Sequence, residues 1–203
     1  MTDFSSNDRE KFLEFQELWN VDRVRNMSLE DYTGIGGGAN RDDFTYWLEA
    51  KLDCLGSIWG GTSYKFGIYQ YDNKPSKPCY DDKYAWSPKY GQDSKEVFHN
   101  VKSKILQIIE YSQSNALGKI DDVDLGHAYK WKIAFHYQNV DDVKIVCIFN
   151  GKILQAIAND EGFGNKLSTS QIYERLLGGE KHTLEEMMNQ ISRPLWSRYE
   201  YAK

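Results

Sequence analysis

The chain predicts an α+β fold, with a small, mainly antiparallel sheet packed by helices and followed by a helical C-terminal part. Three observations carry this. Alternating apolar and polar residues from Tyr64 and again from Tyr129 read as strands, the second joined to an apolar run at Val143 as a hairpin. Residues 93–109 carry apolar side chains at helical spacing. The last third breaks into three stretches with helical periodicity.

Taken in order, Ser6 or Asn7 is placed to cap a first helix carrying Phe12, Phe15, Leu18 and Trp19, with a weaker turn around Val21 and Val24. Ser28-Leu29-Glu30-Asp31 has the spacing of a capping box for a short helix. The glycine run at 34–40 then breaks the chain, and a third helix fits Asp43 to Leu52, with Phe44, Trp47, Leu48 and Leu52 on one side. Gly56-Ser57-Ile58-Trp59-Gly60-Gly61 leads into the expected strand of Tyr64, Phe66 and Ile68, whose Lys65/Gly67 face is the more open. Residues 72–92 form a loop holding Pro75, Pro78, Pro88, Lys74, Lys77, Lys83, Lys89 and the rings of Tyr80, Tyr84, Trp86 and Tyr90. Asp93 caps the long helix of Val97, Phe98, Val101, Ile105, Ile108 and Ile109. Tyr129, Trp131, Ile133, Phe135 and Tyr137 alternate with Lys130, Lys132, Ala134, His136 and Gln138, and 139–142 provides the turn to Val143. Helices follow at 152–158, at 170–177 and from the capping box Thr183-Leu184-Glu185-Glu186, and Pro194 starts or kinks the last segment. The expected division is a recognition domain at 1–160 and a helical extension at 161–203.

The 203 residues are 40% hydrophobic, 14% aromatic and 27% charged, with six Trp and fourteen Tyr, more rings than a core alone demands. A net charge of −5 repels polyanions, so a nucleic-acid site has to be a local patch. Cys54, Cys79 and Cys147 form no C-x-x-C pair, which points to reduced thiols in a cytoplasmic protein and against a structural zinc. With no basic-then-apolar N-terminus and no window of eighteen apolar residues, neither secretion nor a membrane span is expected.

The glycine run lacks the Gly-Lys-Ser/Thr of a phosphate loop and reads as a connector. His99, His127, His136 and His182 show no metal-ligand spacing, and no serine stands in a nucleophile elbow. Asp121-Asp122-Val123-Asp124 reads as a solvated loop. Neither a catalytic residue, a metal nor a cofactor is expected. Rings beside lysines recur three times, and stacked rings with nearby lysines, hydroxyls and backbone amides hold bases and phosphates. The candidate DNA and modified-base contacts are therefore Ser57, Trp59, Gly60, Gly61, Ser63, Tyr64, Lys65, Tyr84, Trp86, Lys89, Tyr90, Trp131 and Lys132. Trp59 has glycine neighbours that cannot cover it; Trp131 is the one best suited to a core.

Leu29-Glu30-Asp31-Tyr32-Thr33, Phe44-Thr45-Tyr46-Trp47-Leu48-Glu49, Leu55-Gly56-Ser57-Ile58 with Gly60-Gly61, Lys65-Phe66-Gly67-Ile68-Tyr69, Tyr84-Ala85-Trp86 with Lys89-Tyr90-Gly91, and Lys130-Trp131-Lys132-Ile133-Ala134-Phe135 with Tyr137-Gln138 resemble, in this order, the N-terminal region of McrB-like AAA+ restriction proteins. The resemblance spans residues 10–160. It implies a domain of a modification-dependent (type IV) restriction system that recognises duplex DNA with a modified base, with an AAA+ motor and a nuclease subunit as partners. These 203 residues carry no Walker A or Walker B motif, so the chain reads as the recognition part alone. Two other classes stay open. A protein-interaction module would show no basic patch beside its exposed rings, and a small-ligand sensor or stand-alone enzyme would gather three or more Asp, Glu or His side chains in one cleft.

Overall fold

A computed structural model describes residues 4–35, 41–73 and 79–199. Residues 36–40 of the glycine run and 74–78 of the proline-bearing loop, with Lys74, Pro75, Lys77 and Pro78, lie outside the described residues. The fold is mixed α+β and mostly helical, with one two-stranded antiparallel sheet.

The first helix, α1 (Ser6–Leu18), begins one residue earlier than expected. Ser5 is its cap: the Ser5 hydroxyl accepts from the Asp8 N–H, and the Asp8 carboxylate accepts from the Ser5 N–H in return. The short α2 (Val21–Asn26) and α3 (Leu29–Tyr32) follow, α3 opened by the Ser28/Asp31 capping box. Asp43 caps α4 (Phe44–Tyr46), which widens into a π-helical turn over Trp47–Lys51. Tyr64 is not in a strand: Ser63–Phe66 is a 3-10 turn, and β1 (Ile68–Gln70) starts only after it. It pairs with β2 (Tyr84–Trp86) in the register Ile68↔Trp86, Tyr69↔Ala85, Gln70↔Tyr84. The sheet lies against α5 (Ser94–Gln113), capped by Asp93 through the N–H groups of Lys95 and Glu96, with Val97, Val101, Ile105, Ile108 and Ile109 buried.

After α6 (Leu117–Asp122), the expected hairpin at 129–149 is replaced by a helix and an irregular segment. Residues 127–136 form α7 (His127–His136), and every residue from Tyr129 to His136 is buried. A helix covered on all sides has no polar face, so its sequence loses the 3.6 period by which helices are read. The alternation that resembled a strand came from Lys130 and Lys132, polar in type but folded inward. Lys130 Nζ donates to the Asp121 and Val123 carbonyls at the end of α6. The apolar run 143–149 is buried but irregular, and its N–H groups find scattered acceptors instead of a partner strand: those of Lys144 and Ile145 donate to Gln138 Oε1, that of Cys147 to Ser192 Oγ, that of Val143 to the His182 carbonyl and that of Ile148 to the Val146 carbonyl.

The remaining helices are α8 (Gly151–Asp160), α9 (Thr169–Leu177), α10 (Leu184–Met187) and α11 (Arg193–Tyr199), the last two joined by a π-helical turn over Met188–Ser192. Pro194 lacks the N–H that would close the preceding turn, which accounts for the widening just before it. One apolar core draws on residues from Phe4 to Tyr199, with α7 at its centre. Phe12 and Phe15 of α1 pack on the His136 ring, and Tyr173 of α9 meets Trp131 edge to face.

Candidate functional site

The loop carrying Trp59 leaves the π turn after α4 and is shaped by two ammonium groups reaching it from different sides. Lys132 of α7 donates to the carbonyls of Leu52 (2.7 Å), Leu55 (2.8 Å) and Gly56 (2.5 Å). Lys65 of the 3-10 turn donates to the carbonyls of Ile58 (2.7 Å) and Gly60 (2.9 Å) and to the Glu49 carboxylate. An ammonium has three protons, so both groups are fully used. At Gly56 (φ +89°) a Cβ would lie 2.5 Å from Phe149 Cε2, so only glycine lets the loop base sit against the core. The tandem Gly60-Gly61 also has positive φ but faces open space, and leaves Trp59 uncovered. Trp59 is 73% exposed; Ile35, at 38%, is the other large apolar side chain on show among the described residues.

Beside this loop is an open depression of about 550 Å³. Gly61, Tyr64 and Lys65 form one wall, Ser87, Lys89 and Tyr90 a second, and Gly126 with His127 at the start of α7 a third. Lys89 is ion-paired with Asp124, which raises the lysine's pKa and lowers the carboxylate's. His127 is pushed toward its neutral form by burial and by Lys130.

Of the residues expected to contact DNA, Gly61, Tyr64, Lys65, Lys89 and Tyr90 therefore share one depression, and Ser57, Trp59, Gly60 and Ser63 lie exposed on the adjoining loop. The others are elsewhere. Tyr84 and Trp86 are buried in β2, where the Tyr84 hydroxyl donates to Glu30. Trp131 is in the core, and Lys132, wholly buried with its protons spent on backbone carbonyls, is out of reach of a phosphate. Its pKa is lowered to about 8, chiefly by desolvation. Sequence reading missed Ser87 and His127 because only folding brings 61–65, 87–90 and 126–127 together.

The acidic run is structural: Asp121 accepts from the Thr169 N–H and the Ser170 hydroxyl in the first turn of α9, and Asp124 holds Lys89. Among the described residues no group of three His, Cys, Asp or Glu side chains could hold a metal, and no helix is long and apolar enough to cross a membrane. What the surface offers is a bare indole, exposed hydroxyls and paired cations. No family model, no curated protein and no solved structure matches the chain.

Proposed function

We propose that the chain is the DNA-recognition part of a modification-dependent restriction system. In this reading it acts in the cytoplasm, beside an AAA+ motor and a nuclease subunit. The observation that carries the reading is Trp59, held out to solvent on a loop whose backbone is pinned by Lys132 and Lys65. A ring of that area is left in water against the hydrophobic effect, and a pre-shaped loop meets a ligand without first being ordered. Trp59 stacks on a base, and the exposed Lys89 exchanges Asp124 for a phosphate. Lys65 serves by holding the loop.

The test is duplex binding by fluorescence anisotropy, with methylated, hydroxymethylated and unmodified DNA over a salt series. Trp59→Ala should weaken binding to the preferred duplex by about 5- to 150-fold, corresponding to about 1–3 kcal/mol for a stacked base. Equal isotherms for variant and parent would end this reading.

A second reading, docking of a partner protein, is favoured by the charge pairing. Lys65 is answered by Glu49 and Lys89 by Asp124, so the exposed ring has no uncompensated cation among these neighbours. Tryptophan is also a frequent anchor in protein interfaces.

A further inference from the structure

We propose that a second cavity, beneath Ser57 and bounded by Arg193, binds a small monoanionic oxyanion carried on a flat apolar body, such as an aromatic carboxylate. The proposal is independent of the reading of Trp59. The cavity has a volume of about 300 Å³, room for a molecule of one or two rings. Asp53 and Ser57 stand at its rim, Phe149 and Trp196 supply flat walls, and Cys147 and Arg193 also line it.

Arg193 is the reason to expect an anion. The residue is 7% exposed, and its Nε and Nη1 are buried without a hydrogen-bond acceptor. Its Nη2 forms a long, 3.5 Å ion pair with Asp8, whose carboxylate is shared with the Ser5 N–H in capping α1. A buried guanidinium with idle donors is costly; once the side chain turns toward the cavity it lines, its planar fork is satisfied by a carboxylate or phosphate oxygen pair. The helix is built irregularly at this place. Arg193 directly follows the π turn of Met188–Ser192, whose Ser192 hydroxyl receives the Cys147 N–H from the cavity wall. Lys132 adds a second buried cation behind Gly56. Burial keeps the Cys147 thiol protonated, pushing it up to about 12, so it does not oppose a negative ligand. The one carboxylate in the lining, Asp53 at the rim, selects against a dianion.

The experiment is calorimetric titration of the whole chain with sodium benzoate and with phenyl phosphate, against sodium chloride as the ionic control. Saturable benzoate binding, tighter than that of phenyl phosphate at pH 7.5, is expected. Arg193→Met should weaken it about tenfold or more, as for a lost charge-assisted hydrogen bond. Should that variant fail to fold, two rim variants decide. Ser57→Phe places a ring in the mouth and should abolish binding, whereas Asp53→Asn removes a like charge and should tighten binding about two- to fivefold. Absence of saturable binding, or benzoate affinity unchanged in both rim variants, overturns the proposal.

Discussion

Lys132→Met replaces a buried ammonium by an apolar chain of similar length and tests how the Trp59 loop is anchored. The Leu52 carbonyl keeps a donor, since the Leu55 N–H also reaches it at 2.9 Å. The carbonyls of Leu55 and Gly56 lose the ammonium, and an orphaned buried acceptor costs about 1–3 kcal/mol. Part of this is offset because the desolvated charge is gone, leaving a net loss of about 2–4 kcal/mol at pH 7.5. The pH dependence gives a sharper mark. The Lys132 pKa falls from 10.5 in the unfolded chain to about 8 in the fold. Between those values the unfolded chain holds the extra proton, so raising the pH favours the folded state; below pH 8 both states are protonated and the slope vanishes. Urea unfolding followed by circular dichroism at pH 7.5 and 9.5 should show the advantage of wild type over Lys132→Met growing by about 2 kcal/mol. A variant as stable as wild type, or a gap that narrows as pH rises, would refute the buried, carbonyl-bound ammonium.

The tryptophans should separate cleanly. Trp59→Ala should leave the unfolding midpoint within about 0.5 kcal/mol of wild type while weakening duplex binding, and Trp131→Ala should cost about 3–5 kcal/mol in the same unfolding experiment. Lys89→Ala should lower affinity on modified and unmodified duplex alike and shallow the log K against log salt plot by about one unit, if its phosphate contact forms. Lys65→Ala should weaken binding without changing that slope, because its role is to hold the carbonyls of Ile58 and Gly60; a slope change equal to that of Lys89→Ala would make it a phosphate contact instead. Gly56→Ala, clashing with Phe149 at a positive φ, should destabilise by about 1–3 kcal/mol, read as a lower denaturation midpoint.

Local chemistry was readable wherever it acts over a few residues. The caps at Ser28, Asp93 and Thr183 and the apolar stripe of α5 follow from spacing alone, and glycine neighbours correctly mark Trp59 as uncovered. The hairpin reading fails at α7 because Lys130 and Lys132 are polar in type and alternate with apolar residues, although each amine is turned inward onto backbone carbonyls. The strand reading at Tyr64 fails because three alternating apolar residues, Tyr64, Phe66 and Ile68, do not distinguish a strand from a 3-10 turn that precedes one. The lysines of the candidate site show the deeper obstacle. A lysine beside a ring looks alike in sequence whether its protons face solvent or are spent, and what spends those of Lys65 is Glu49, sixteen residues away, together with two loop carbonyls. The Arg193 cavity joins residues 53–57, 147–149 and 193–196, which no local pattern connects.

The double anchoring of the Trp59 loop makes it a poor candidate for grafting. Residues 52–62 moved to another scaffold would arrive without the amines that hold five of their carbonyls, one borne by a helix at the centre of the core and the other by the turn beyond the loop. A transplant that keeps the shape has to bring Lys132, Lys65 and Glu49 in register, together with the flat face of Phe149 against which Gly56 lies. Diversification at the exposed Ser57 and Trp59 is far less constrained than at the buried Ile58 or at Gly60 and Gly61, which have positive φ. Variation there can alter what the ring meets, provided the carbonyls of Ile58 and Gly60 keep their places.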